Sequence, residues 1–131
     1  MISTKGRYAL RVMTELSGHD PEQFVPLKDI AEHQGVSLKY LESIMSILVK
    51  NKLVTGASGK GGGYRLRKDA SEYTLGEILR ATENSIEPVA CTGKDSEPCE
   101  RNSFCPTYPI WCELSDLING FLDSKKLSDL R

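Results

Sequence analysis

The chain has 131 residues, 39% of them hydrophobic and 27% charged, with a formal net charge of −1. That is one ordinary globular domain, or a small domain with an appendage, long enough to build a core without covalent staples. No apolar run approaches the roughly 20 residues of a membrane helix. The start, Met1-Ile2-Ser3-Thr4-Lys5, carries no signal-peptide stretch, so a cytoplasmic location is expected. The net charge hides a division: residues 1–68 carry 11 Lys/Arg against 6 Asp/Glu, and residues 69–131 carry 6 against 12. A polyanion suits the first part and is repelled by the second.

Taken in chain order, Thr4 is positioned to cap a first helix with apolar residues at Leu10, Val12, Met13 and Leu16 and a stop at Gly18. A short second helix fits Leu27 to Gln34, with Ile30 and Ala31 inward and Gly35 suited to a left-handed stop. Ser37 then caps a third helix. Leu38, Leu41, Ile44, Met45 and Leu48 make its apolar stripe, Lys39, Tyr40, Glu42, Ser43 and Ser46 its polar face, and it ends near Asn51-Lys52. Leu53-Val54-Thr55 and Tyr64-Arg65-Leu66-Arg67 read as two strands joined by the glycine-rich segment 56–63. Thr74-Leu75-Gly76-Glu77 has the pattern of a capping box and opens a helix to about Glu83. Residues 85–104 look irregular. From about Pro106 to Leu122 the chain reads as a long helix, with Pro109 in its first turn and a wide stripe of Ile110, Trp111, Leu114, Leu117, Ile118, Phe121 and Leu122.

The expected fold is mainly α: a winged helix-turn-helix domain with a two-stranded β-wing, plus a long C-terminal helix. Three segments are expected, at 1–83, 84–105 and 106–131. The third helix has an apolar face to seat it and a polar face beginning at Ser37 to present to base edges. The wing offers Lys60, Arg65, Arg67 and Lys68 to phosphates, and its glycines let backbone approach DNA. A nucleotide-phosphate loop is a poor alternative, because these glycines lead into a strand-like Tyr64-Arg65-Leu66 rather than a helix. There is no nucleophile–base pairing, paired-carboxylate motif or cofactor loop, so an enzyme is not expected.

All four cysteines, Cys91, Cys99, Cys105 and Cys112, lie within 22 residues. In a cytosolic chain with its own core, disulfides are an unexpected use for them. Cys91-x7-Cys99-x5-Cys105 is neither a redox Cys-x-x-Cys pair nor the paired-knuckle spacing of structural zinc. An iron–sulfur cluster, zinc, and free or redox-active thiols all remain open on spacing alone. Cys112 reads as a buried thiol beside Trp111. His19 and His33 read as ordinary helix-face histidines.

Thr4-Lys5-Gly6-Arg7-Tyr8-Ala9-Leu10, Gly35-Val36-Ser37-Leu38-Lys39-Tyr40-Leu41-Glu42 and Gly61-Gly62-Gly63-Tyr64-Arg65-Leu66 together resemble the Rrf-two family of bacterial transcriptional regulators, of the IscR, NsrR and CymR type. The resemblance extends through the cysteine loop to Trp111-Cys112-Glu113-Leu114-Ser115-Asp116-Leu117. It implies a dimeric winged-helix repressor or activator, repression being the expected role. The long helix would cross its twin through Trp111, Leu114, Leu117, Ile118 and Phe121, and double-stranded DNA with a two-fold symmetric operator is the expected partner. The implied DNA-facing residues are Lys5, Arg7, Lys28, Ser37, Lys39, Tyr40, Glu42, Ser43, Ser58, Lys60, Gly61, Gly62 and Tyr64. The family's wing arginine falls on Ser58, with Lys60 nearby.

The same resemblance implies a 2Fe-2S or 4Fe-4S cluster on Cys91, Cys99 and Cys105, readily lost in air. The fourth-ligand positions of the family fall on Tyr108 and Tyr8; Cys112 is the leading local substitute if the long helix starts after Cys105 or the loop folds back, and an external thiol or water is the alternative. Two other functions stay in view. One is a cluster-free regulator of the same fold that senses cysteine oxidation or a protein partner such as cysteine synthase. The other is a small metal or redox protein without a DNA role.

Overall fold

In the computed structural model, residues 2–89, 92 and 104–130 are described. Three helices, α1 (Thr4–Ser17), α2 (Leu27–Gln34) and α3 (Leu38–Lys50), precede the strands β1 (Val54–Ala57) and β2 (Gly63–Leu66). A short 3₁₀ turn (Ala70–Glu72), α4 (Leu75–Thr82), α5 (Tyr108–Ser124) and a second 3₁₀ turn (Leu127–Leu130) follow. This is the mainly helical winged-helix architecture that the periodicity predicts.

The α1 cap sits one residue earlier than expected. Ser3, not Thr4, accepts from the Gly6 N–H, while Thr4 is helical and accepts from Arg7. Ser3 is fixed there by a distant partner: its N–H and its hydroxyl both donate to Glu83, at 2.8 and 2.7 Å. Helix α2 has the expected bounds and ends on Gly35 with φ +66, in the left-handed region that favours glycine. Ser37 caps α3 by accepting from Tyr40 N–H.

The strands reach further into the glycine-rich segment than expected. They pair antiparallel from Val54–Leu66 to Ala57–Gly63, so Gly56, Ala57 and Gly63 belong to the sheet and 58–62 form the tip. Val25 adds a bridge on the other edge of β2, exchanging hydrogen bonds of 2.8 and 2.9 Å with Tyr64.

The main core joins Ala9, Val12 and Met13 of α1 to Leu41, Ile44, Met45 and Leu48 of α3, with Ile30, Val54, Tyr73 and Ile78. Leu38, assigned to the α3 stripe from sequence, stands at the helix's first residue and is exposed. Leu127, beyond α5, is fully buried in this same core. It is held by its N–H to the Tyr73 carbonyl and by a bridge between Thr74 and Lys126. A second cluster joins Leu75, Leu79, Ile86 and Leu122, with Leu10 and Ile118 against it.

Helix α5 is seated on α4 by polar clamps as well. Arg80 donates to both carboxylate oxygens of Asp123, at 2.6 and 3.0 Å, and to Asn119 at 2.6 Å. The Ser115 hydroxyl donates to Glu87. The helix begins at Tyr108 with Pro109 in its first turn, two residues later than the sequence suggests.

Candidate nucleic-acid interface and cysteine site

Helix α3 presents what base reading requires. Leu41, Ile44, Met45 and Leu48 are sealed inside, while Ser37, Lys39, Glu42, Ser43 and Ser46 are exposed on its other face. The Ser43 hydroxyl bonds back to the Tyr40 carbonyl, at 2.6 Å. Tyr40 is half-buried and packs against the core, its ring meeting Tyr8 edge-on at 5.9 Å between centroids. That contact sets the Lys5–Arg7 end of α1 beside the first turn of α3. Arg7 and Lys28 are exposed and Lys5 half-buried.

In the wing, Ser58, Lys60 and Gly61 are exposed and Gly62 half-exposed at the tip. Tyr64 is half-buried, packed against the core, and its backbone is committed to Val25. Two wing cations assigned to phosphates from sequence are otherwise engaged. Arg65 donates to the Glu22 carbonyl at 2.9 Å and lies over the Phe24 ring, while Lys68 pairs with Glu77 at 3.2 Å and lies over Tyr73. Lys60 and Arg67 remain exposed.

The hairpin is fixed from beneath by a residue that sequence reasoning missed. The buried Tyr73 hydroxyl donates to the Leu53 carbonyl at 2.6 Å and accepts from the Arg67 and Lys68 N–H groups. The signal was present: Asp69-x-x-Glu72 forms a reciprocal capping box that turns the chain and delivers Tyr73.

Of the cysteines, Cys91 and Cys99 lie outside the described residues. Cys105 is half-exposed just before α5, its sulfur 3.2 Å from the Thr107 hydroxyl. Its carbonyl accepts from Tyr108 N–H at 3.3 Å, closing a turn into the helix. Cys112 is half-buried one turn into α5. Because α5 starts only at Tyr108, helical rise between that start and Cys112 is about 6 Å. Tyr8, at the other fourth-ligand position, is engaged in packing, with the Arg11 guanidinium over its ring at 4.7 Å. A partly exposed Cys105 thiol, with two more cysteines in the preceding stretch of sequence, is a donor set of the type that iron–sulfur clusters take. Among the described residues alone, no three His, Cys, Asp or Glu side chains form a metal site.

The expected dimer face divides. Ile118 packs on the second cluster and Trp111 is half-buried, whereas Leu114, Leu117 and Phe121 are exposed together with Ile110. No helix among the described residues is long and apolar enough to cross a membrane.

These features define a winged helix-turn-helix protein with an appended helix and a cysteine segment between the two. A family model described as "Rrf2: Iron-dependent Transcriptional regulator" matches residues 2–131, and the chain belongs to that family. The HTH-type transcriptional regulators IscR of Photorhabdus laumondii and Serratia proteamaculans are 45% and 44% identical to it. Each match covers 98% of this chain and 77% of the relative. Among solved structures, CymR, the global cysteine regulator of B. subtilis, superposes with a TM-score of 0.79 at 38% identity, covering 99% of this chain and 95% of that one. T. potens IscR does so with a TM-score of 0.78 at 34% identity, covering 99% and 85%. The chain is a transcriptional regulator of the IscR type, a non-enzymatic role among its relatives.

Proposed function

We propose that the chain is a dimeric regulator, a repressor, that binds a two-fold symmetric DNA operator with an affinity set by an iron–sulfur cluster on Cys91, Cys99 and Cys105. The observation that carries the DNA part is α3 itself: four core residues fully buried on one side, and Ser37, Lys39, Glu42 and Ser43 exposed on the other. Lys5, Arg7, Lys28, Lys60 and the tip glycines supply the flanking contacts to phosphate, and Glu42 contributes base preference.

Ile110, Leu114, Leu117 and Phe121 recur at 4-3-4 spacing, the seam by which one helix packs along another. A second copy of α5, with the same seam, is the occupant that pairs two α3 helices at one half-site spacing. The cluster, when bound, would supply a redox- and assembly-sensitive tie between the thiolates. The chain's own residues would carry its effect: Glu83 and Glu87 fasten the start of the cysteine segment to α1 and α5. Cys112 is the local candidate for a fourth ligand.

A salt titration tests the DNA part. Affinity for duplex DNA should fall steeply as salt rises; no binding at about 50 mM salt defeats it. A second reading is a cluster-free regulator controlled by thiol oxidation or a protein partner. It is favoured by the likeness to CymR and by tyrosines at both fourth-ligand positions. An iron and sulfide assay on protein purified without oxygen separates the two.

A further inference from the structure

We propose that Gln34 is a positioning residue for base reading: Arg11 and Glu15 grip the two ends of its side-chain amide and thereby fix how α3 is presented to DNA. This rests on the DNA-binding reading above.

Gln34 is the last residue of α2 and immediately precedes Gly35, the left-handed residue that redirects the chain into α3. Its amide is used at both ends by α1. The oxygen accepts from Arg11 Nε at 2.9 Å, and the nitrogen donates to Glu15 Oε1 at 2.7 Å. Arg11 Nη2 also reaches the Gln34 carbonyl, at 3.4 Å. An amide fits this place because one partner is a donor and the other an acceptor; a carboxylate or an ammonium would satisfy only one of them.

The same Arg11 guanidinium lies over Tyr8, and Tyr8 meets Tyr40 edge-on at an interplanar angle of 88°. Tyr40 is in the first turn of α3. Two rows of contacts from α1 therefore hold the helix-turn-helix, one at the entry to the turn and one at its exit, and Arg11 belongs to both. The apolar core seats α3 by close packing, and the polar contacts add a directional restraint at its entry. Hydrogen bonds with charged partners are directional and short. The clamp supplies the angular definition that side chains need to meet base edges.

The test is an exchange of the two groups. Gln34→Glu keeps the acceptor for Arg11 but sets a carboxylate against Glu15. Adding Glu15→Gln restores a donor–acceptor pair with the roles reversed. Affinity is measured for the duplex that the wild-type chain selects from random-sequence DNA, and for a random-sequence duplex. Gln34→Glu should lower the thermal midpoint, because two carboxylates then meet, and, at a temperature where the variant is fully folded, should lower the ratio of the two affinities about tenfold with the salt dependence of the random duplex unchanged. The double variant should regain most of that loss. An unchanged ratio, an equal loss on both duplexes, or no recovery in the double variant overturns the proposal. If the wild-type chain binds no DNA, the functional reading fails separately. The clamp is then judged on the Tyr40 ring resonances, which must shift in Gln34→Glu and return in the double variant; static resonances reject it.

Discussion

One hydroxyl illustrates how single residues hold the DNA-facing parts in place. Tyr73 is fully buried, and burial is the main reason its phenol stays above the ordinary range and keeps its proton. Tyr73→Phe removes the partner of three backbone groups at the base of the wing, so a loss of about 2 kcal/mol is expected in urea unfolding. A loss below about 0.5 kcal/mol would mean that water replaces the hydroxyl. His33 offers a pH-dependent case. Its hydrogen bond to Glu15, reinforced by that carboxylate's charge, raises its pKa above the ordinary 6.5. A raised folded-state value means the pair's stabilisation is fully present below the unfolded pKa and is lost as pH rises through the folded one. His33→Gln should therefore lower the thermal midpoint more at about pH 6 than at about pH 8; equal losses would show that the pair is inert. Local chemistry of this kind was partly legible. Ser37 and Gly35 declare themselves through side-chain type and position. The choice of Ser3 over Thr4 as cap did not, because Glu83, 80 residues away, makes it.

At the scale of elements, the wing depends on a close approach of backbones. Gly63 has φ +142, and a Cβ there would fall 2.2 Å from the Val25 carbonyl oxygen. Gly63→Ala should cost about 3 kcal/mol and separate the Val25 segment from β2, read as faster amide exchange at Val25 and Tyr64. Full protection at those two amides would contradict it. Leu127 makes a parallel case at the other end of the chain. Although it follows α5, it is fully buried in the main core, its 3₁₀ turn packed on α1 and on the Ala70–Glu72 turn, so Leu127→Ala should destabilise the chain by about 2–5 kcal/mol in the same unfolding assay. The helices α2 and α3 were readable because cap, period and stop agree locally. The edges of the strands were not: glycines read as turn, and only pairing across the hairpin makes Gly56, Ala57 and Gly63 sheet. Leu127 was unreadable for a related reason, since a lone leucine in a polar tail has no period to declare its burial.

At the scale of the molecule, a basic half, residues 1–68, is followed by an acidic half, residues 69–131, that contains α4 and α5. The exposed seam of α5 makes self-association a specific expectation. Leu117→Glu places a charge on its most exposed leucine and should give a monomer in sedimentation equilibrium, while the winged-helix core, which Leu117 does not touch, stays folded and loses only the stability that association adds. A Leu117→Glu chain that still sediments as a dimer would place the interface elsewhere. Cluster control of DNA binding is the central claim, and it has a direct test. Operator affinity is measured on one sample purified without oxygen, before and after its iron is removed, with iron and acid-labile sulfide assayed alongside. The account predicts bound iron and sulfide at the start and an affinity change of at least about tenfold on their removal, about 1.4 kcal/mol of coupling. A sample devoid of iron and sulfide, or one affinity in both states, would contradict it.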